Sequence, residues 1–402
     1  MVYGKLAGDN VALQEAALGR FRQMGDSAAD AVVATFEAAH GERGIDELEN
    51  VLVKLFRWNP NDTSLPQEFL GFLNADETLP DWFEEEGGWE RVARGQELYQ
   101  KYRLTSLVIL GCASLPHCYA NSEIAGSLIM SGRLASQVSM RIGETGNFVD
   151  MAMKAGGLHS GGHGLLWIRK VRLIHAVMRV LIEADPAHLG KRPKTGAAGD
   201  ALRRINWGAR ASRPIDQLEM AFVLLTFSKV VLEGWNSLGI RPSKDECGDY
   251  MFTWALIGHM LGVEAPLVER CRTLRDARAL AAEMRPLQKQ RSRKAARAGR
   301  LLSAALLVLL REQVVTGAPV PKLLRWILPS LPQSMIRRLV GRETARELWV
   351  VRAPLLPRFV HWLMFVFRVF GKPSAESKLG KDMGSRIHDR FCATGPQFRG
   401  SG

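Results

Sequence analysis

The sequence predicts an all-α protein, a helical bundle whose apolar helices form the core. Apolar residues recur at helical spacing, for example at Val171, Ile174 and Met178, which places them on one helix face. No segment shows a convincing alternation of apolar and polar residues, which is the pattern of a half-buried strand, and we find no internal repeat. Together these observations favour helices packed on helices.

The length and charge of the chain limit the classes of protein to which it can belong. With 402 residues it is long enough for two or three domains. We predict a helical N-terminal region (1–100), a central helical core (101–275) and a basic and apolar C-terminal region (276–402). The net charge of +13 favours anionic partners. The basic run 285–300 has no interleaved aromatic residues for base stacking, so we expect no nucleic-acid partner.

The five cysteines are scattered and never spaced as C-x-x-C. This spacing excludes covalent haem attachment through C-x-x-C-H, argues against a zinc ribbon or a disulfide framework, and fits a reducing compartment. The first residues lack a charged start followed by an apolar run, so they are not a signal peptide. We therefore expect a cytoplasmic protein, with peripheral contact to a membrane as an open alternative.

Helices joined by polar loops are predicted in the first part of the chain. Residues 25–30 form a loop that leads into a helix N-cap, and residues 89–101 form a helix of mixed charge. The stretch 104–129 is largely apolar, but glycine and proline residues interrupt it. We interpret it as a buried helix pair that is too interrupted to cross a bilayer.

The rest of the chain is organised around residues 141–175, in which a helix, a glycine-rich break and a second helix follow one another. In the first helix Arg141, Glu144 and Thr145 share one face, because they lie three and four residues apart. In the second helix His175 lies at the border of the apolar stripe. A unit of this length can fold back as a hairpin, which turns the two faces toward each other.

Two further apolar helices are predicted at 215–238 and 250–263. Ser243 is followed three residues later by Glu246, the signature of a capping box between these helices.

The remaining segments are less regular. Residues 185–211 are rich in glycine and basic residues and predict a loop. Residues 277–312 show a long helical pattern that Pro286 breaks or kinks. The aromatic stretch 355–370 predicts a packed C-terminal helix, with a helix lying in a membrane interface as the alternative.

His175 allows two interpretations. A single histidine beside an apolar stripe is most often a core residue whose polar atoms are satisfied. The functional alternative is an axial haem ligand, because a non-covalent haem needs an imidazole aimed into an apolar slot and cations for its propionates. Arg169, Arg172 and Arg179 are the cations nearby in sequence.

The group Arg141, Glu144 and Thr145 also has two interpretations. An arginine and a glutamate three residues apart are common on helix surfaces and contribute little to stability. As the polar wall over a cofactor, the arginine and threonine would hydrogen-bond dioxygen, and the carboxylate would move a proton.

Three other histidines carry weaker signals. His159 and His163 lie in the glycine run, where a loop is a better interpretation than a zinc pair because no third ligand is evident. His259 lies among small residues where helices pack closely, and we interpret it as structural.

The order of several short motifs is more specific than any one of them. In chain order they are Gly25-Asp26, Ala29-Asp30-Ala31-Val32-Val33, Leu79-Pro80-Asp81-Trp82, Ala113-Ser114-Leu115-Pro116-His117, Gly132-Arg133-Leu134, Arg141-x-x-Glu144-Thr145, Val171-Arg172-Leu173-Ile174-His175-Ala176, Trp207-Gly208 and Trp254-x-x-x-Gly258-His259. Over roughly residues 20–350 this set resembles the bacterial branch of the latex-clearing-protein family, which shares its catalytic domain with a fungal ER-bound oxygenase.

The resemblance implies a helical fold with a globin-like core and one non-covalent haem b, held within residues 101–275. It implies His175 as the proximal iron ligand, and Arg141 and Thr145 on the distal side. Among the cations near His175 in sequence, Arg172 is the candidate for binding the cofactor. The latex-clearing enzymes have a lysine just before that threonine, whereas this chain has Glu144. Glu123 is the nearest candidate for the carboxylate that takes an allylic proton.

Three hypotheses follow from the sequence. In the first, the protein is a haem b oxygenase that uses dioxygen to cleave double bonds in an isoprenoid or another unsaturated lipid. In the second, it is a non-catalytic haem- or lipid-binding helical protein at the membrane surface. In the third, it is a membrane-surface protein in which His175 is a core residue.

Overall fold

The computed structural model describes residues 17–130, 138–184, 212–289, 296–317 and 330–350. No strand occurs in these ranges, so the all-α prediction is confirmed. A π-helical segment lies at Leu110–Ser114. The α-helices are α1 (Ser27–His40), α2 (Gly44–Arg57), α3 (Gln67–Leu73), α4 (Trp82–Glu85), α5 (Gly88–Lys101), α6 (Arg103–Ile109), α7 (Leu115–Ala120), α8 (Ser122–Met130), α9 (Val138–Ala152), α10 (His163–Ala184), α11 (Gln217–Phe227), α12 (Lys229–Ser237), α13 (Lys244–Met260), α14 (Ala265–Glu269), α15 (Leu274–Lys289), α16 (Ala296–Gly317), α17 (Leu331–Leu339) and α18 (Arg342–Glu347).

Helix α10 lies at the centre of the described structure. It spans 22 residues, and α1, α2, α3, α9 and α13 all pack on it. Its apolar stripe is buried as the sequence predicts, including Leu173, Ile174 and Leu181. Because α1 and α2 of the predicted N-terminal region contact α10 of the predicted core, the two regions share one interior. The division into three regions stays a prediction.

Helices α5 and α13 form the closest helix pair away from α10. Gly95 of α5 lies against α13 so tightly that an added Cβ would be 2.2 Å from Oγ1 of Thr253 and 2.6 Å from the carbonyl oxygen of Asp249. Arg94 and Arg91 extend from α5 to the carboxylate of Asp249, at 2.6 and 2.9 Å. A glycine therefore lets the two backbones approach, and ion pairs at the rim set their register.

Side-chain caps begin two of the helices, and only the second cap lies where the sequence predicts it. Asp26 is the N-cap of α1, and its carboxylate accepts a hydrogen bond from the amide of Ala29 at 3.3 Å. The helix thus begins inside the predicted loop 25–30. At α13 the capping box is confirmed, because the Ser243 hydroxyl accepts from the amide of Glu246 and the Glu246 carboxylate accepts from the amide of Ser243.

The helix predicted at 215–238 is wrong as a single helix, because the chain breaks at Ser228 into α11 and α12. Ser228 has φ −96° and ψ −81°, and its hydroxyl donates to the carbonyl oxygen of Leu224 at 2.9 Å. A side chain that bonds back to the preceding turn competes with the helical ladder. The helix predicted at 250–263 begins earlier, at Lys244, because the capping box starts it there.

The expected break at Pro286 does not occur at that residue. Helix α15 continues to Lys289, and α16 starts at Ala296. Pro286 lies in the last turn of α15, where its missing N–H costs one helical hydrogen bond but few residues of the helix follow. The connection at 290–295 lies outside the described residues, as do the predicted loop 185–211 and the aromatic stretch 355–370.

None of the described helices combines the length and the apolar composition that crossing a bilayer requires. The stretch 104–129, predicted as a buried helix pair, consists of α6, the π-helical segment, α7 and most of α8. Its residues Ile109, Ala113 and Ala125 are fully buried. The expected cytoplasmic location and membrane contact stay predictions.

Candidate functional site

Helices α9 and α10 form the predicted hairpin. The chain between them turns sharply at Gly157, where an added Cβ would lie 2.1 Å from the carbonyl oxygen of Met151. At the start of α10, an added Cβ at Gly164 would lie 2.7 Å from the Cα atom of Ala152. Glycine at these positions lets the two helices meet backbone to backbone, so α9 and α10 run antiparallel from this crossing.

Helical periodicity relates the candidate residues to the crossing. His175 lies eleven residues after Gly164, just over three turns, so an ideal helix puts it within about 20° of the direction of Gly164 and about 16 Å along the helix. Thr145 precedes Ala152 by seven residues, close to two turns, and so shares a face of α9 with it. That the two candidate faces meet stays a prediction.

His175 differs from its neighbours in its exposure. The residues from Leu173 to Arg179 are buried, yet His175 itself retains accessible surface. Its Nδ1 atom is buried, so the accessible part of the residue lies elsewhere. A histidine that is partly accessible within a largely buried helix is compatible with an axial ligand.

The facing helix α9 has a similar opening beside the predicted polar group. An added Cβ at Gly146 would meet no atom of the described residues within 4 Å, and Thr145 is also partly accessible. Glu144 is buried, at 7% exposure. A glycine in a helix interior is unfavourable unless something must approach the backbone closely. The structure describes the backbone of Arg141 in α9 but not its side chain.

Arg172 is bound within the protein. Its Nε and Nη2 atoms donate to the carboxylate of Asp26 at 2.6 and 2.9 Å, and Nη1 donates to the carbonyl oxygen of Met260 at 3.2 Å. Arg172 therefore binds groups of the protein itself, whereas the sequence predicts that it binds an anionic group of the cofactor. Arg169 and Arg179 are bound in the same way, by Glu77 and Asp30 respectively. The three arginines therefore hold α10 in place.

Glu123 lies in a cluster of carboxylates that the sequence analysis did not identify. One carboxylate oxygen each from Glu123, Asp216 and Glu219 lie within 4.8 Å of one another. Ser212 donates its hydroxyl to Glu123 at 3.0 Å, and Arg22 lies 3.9 Å away. The sequence shows an N-cap pattern at Asp216 and Glu219, three residues apart, but no local signal that Glu123 lies beside them.

The other histidines have structural contacts. His159 lies in the loop and stacks on Trp89, with ring centroids 3.9 Å apart. The loop prediction is wrong for His163, which is the first residue of α10. The ring of His259 lies 2.7 Å from the carbonyl oxygen of Thr78, in agreement with its structural interpretation.

Two buried cysteines are unsuited to act as thiolates. Burial raises the pKa of Cys112 to about 12 and that of Cys118 to about 11. The thiolate is the form that binds metal or attacks a substrate. Both thiols therefore stay protonated near neutral pH.

The described residues form an all-helical protein in which α9 and α10, the helices that carry Thr145 and His175, pack as a hairpin. The chain belongs to the family of the ER-bound oxygenase mpaB/B'/rubber oxygenase catalytic domain, whose family model matches residues 121–391. The family is one of oxygenases, which confirms the predicted class of activity at that level. No curated protein is similar enough in sequence to count as a relative.

A solved structure of similar fold is that of latex clearing protein LCP in the closed state. It has a TM-score of 0.65 and 18% sequence identity to this chain, and the match covers 93% of this chain and 91% of that one. At this identity the likeness shows a shared fold.

Proposed function

We propose that the protein is a haem b-dependent oxygenase that uses dioxygen to cleave carbon–carbon double bonds in an isoprenoid or another unsaturated lipid. The observation that carries the proposal is the accessible surface of His175 within an otherwise buried stretch of α10. Membership of an oxygenase family supports the class of reaction.

The residues of the hairpin fit a haem. His175 would bind the iron, because it is an imidazole beside open space on a wall of buried apolar residues such as Ile174 and Met178. The open space at Gly146 lies on the facing helix. When bound, the haem supplies the iron at which dioxygen is activated.

The side chains of α9 would orient the reactants and move a proton. The hydroxyl of Thr145 can donate a hydrogen bond to an oxygen atom. The carboxylate of Glu144 is buried near it and can hold a proton in a site with little water. Arg141, on the same helix face, would supply a positive charge.

Glu123 is the proposed acceptor of a substrate proton. The hydroxyl of Ser212 binds its carboxylate, and the next residue, Arg213, donates to Asp30 at 3.3 Å. Asp30 in turn binds Arg179 of α10. Glu123 is therefore linked to the helix that carries His175 by two sets of polar contacts, which the neighbouring residues Ser212 and Arg213 join through the backbone.

The test is haem content of protein purified from haem-supplemented cells, measured as the pyridine haemochrome. We expect about one haem per chain, and loss of the Soret band in His175→Ala because the iron ligand is removed. His159→Ala is the matched control, since that histidine is exposed in a loop. A colourless wild-type protein, or a His175→Ala variant that keeps its haem, would contradict the proposal.

Oxygen uptake separates an enzyme from a haem-binding protein without turnover. Squalene, a carotenoid and polyisoprene are suitable probes of the substrate class. Glu144 in place of the lysine of the latex-clearing enzymes favours a substrate other than rubber. Haem-loaded protein that consumes no oxygen with any of the three supports the binding-protein alternative.

A further inference from the structure

Two ion pairs bind α10 on either side of His175. Arg172 precedes the histidine by three residues and Arg179 follows it by four, so all three lie on one side of the helix. Asp26 binds Arg172 at 2.6 and 2.9 Å. Asp30 binds Arg179 at 2.8 and 2.6 Å. The two aspartates are themselves four residues apart, at the N-cap and in the first turn of α1.

The surrounding backbone fits closely around these pairs. An added Cβ at Gly25 would lie 2.4 Å from the carboxylate of Asp30, and one at Gly262 would lie 2.6 Å from that of Asp26. Gly262 also has φ +74°, a conformation that favours glycine. The carbonyl oxygens of Met260 and Ile215 each accept one further guanidinium hydrogen, from Arg172 and Arg179 respectively.

Such a paired arrangement fixes the angle of the helix about its own axis. A turn of α10 by one residue would rotate it by about 100° and would break both bidentate contacts together. Buried ion pairs contribute little net stability compared with apolar residues of similar volume, and position is their better-attested use. Each pair has one member that is almost fully buried, Asp26 at 2% and Arg179 at 0% exposure, whereas Arg172 and Asp30 are 12% and 22% exposed.

We propose that Asp26 and Asp30 are positioning residues for His175, which aim its imidazole by holding Arg172 and Arg179. The inference rests on the proposed function, because it concerns the imidazole as an iron ligand. Asp26 and Asp30 also place negative charge beside Arg172 and Arg179, the two arginines that flank His175 in α10. Removal of one negative charge should therefore raise the reduction potential of the bound iron and change the strength of the iron–histidine bond.

The experiment compares haem-loaded wild-type protein with Asp26→Asn and Asp30→Asn. Haem affinity, the iron–histidine stretching frequency of the ferrous protein and the midpoint potential are measured for each. We expect haem affinity to fall roughly 10- to 100-fold, the stretching frequency to shift and the potential to rise. Asp276→Asn is the control, since Asp276 pairs with Arg275 at the exposed start of α15.

A second variant covers the case in which Asp26→Asn does not fold. Arg172→Lys keeps the positive charge but loses the bidentate contact, so the iron–histidine stretch should shift while the potential changes little. Folded variants with wild-type affinity, frequency and potential would overturn the inference. Variants whose melting temperature falls by the same amount with and without haem would also overturn the inference, because the aspartates would then be only structural. Wild-type protein without haem would instead overturn the proposed function.

Discussion

At the scale of single residues, the basic side chains of α10 are the main departure from the pattern of an amphipathic helix. Lys170 is 1% exposed and Arg179 fully buried, although both are charged. Lys170 donates to the carbonyl oxygens of Phe56 and Trp58 at 3.2 Å each. These carbonyls lie at the C-terminal end of α2, where helical partners are lacking. The cations of α10 therefore bind the ends of neighbouring helices.

Glu144 provides a test at the same scale, because the resemblance places a lysine at this position. In Glu144→Lys we expect the amine to bind the haem iron at rest, since burial favours its neutral form. The absorption spectrum should change to that of a six-coordinate low-spin haem. Glu144→Gln, which keeps the size without the amine, should retain the wild-type spectrum. An unchanged spectrum in the lysine variant would show that position 144 does not face the iron.

At the scale of elements, glycines decide how closely the helices pack. Gly95 lets α5 pack closely on α13, and Gly164 lets the start of α10 pack against the last turn of α9. Both are helical residues at which a side chain would meet backbone or a packed side chain at less than 3 Å. Helical pattern alone does not show this requirement, because a glycine in a helix is usually only a weak point.

Gly95→Ala tests this packing. We expect it to reduce the free energy of unfolding by about 1–3 kcal/mol or more, because the new methyl group would collide with Thr253 and the backbone of Asp249. Gly71→Ala is the matched control. It lies in α3 with nothing within 4 Å of an added Cβ, and it should stabilise by about 0.5–1 kcal/mol. Urea unfolding measures both, and equal effects of the two substitutions would contradict the packing argument.

At the scale of the whole molecule, the half-buried His117 makes stability depend on pH. Burial lowers the pKa of His117 from its ordinary value to about 4, with further lowering from the nearby charges of Lys229 and Arg285 and a smaller opposing effect of Glu233. The unfolded chain takes up a proton near pH 6.5, whereas the folded protein does so only near pH 4. Stability contributed by the neutral histidine is therefore lost as the pH falls between these values.

The measurement is urea unfolding at pH 7, 6 and 5 for the wild type and His117→Gln. Since His117 retains some accessible surface, we expect the wild type to lose roughly 1–2 kcal/mol more than the variant over this range. Parallel pH dependences of the two proteins would show that His117 titrates normally in the folded state.

Much of the fold and part of the site follow from the amino-acid sequence. Helical spacing predicts the buried stripe of α10, the Ser243–Glu246 pair starts α13, and the glycine break predicts the hairpin. Each of these depends on residues within a few positions of one another. The break at Ser228 escaped prediction because one hydroxyl bond to Leu224 overrides an apolar pattern that continues through it.

The sequence by itself determined that the chain is helical and that His175 lies on a largely apolar helix, because periodicity is a local property. Only the tertiary structure decided what the arginines bind, and that Glu123 lies beside Asp216 and Glu219. Asp26 and Arg172 are 146 residues apart in the chain. Contacts over such separations arise from the packing of helices, so no local pattern of residues encodes them.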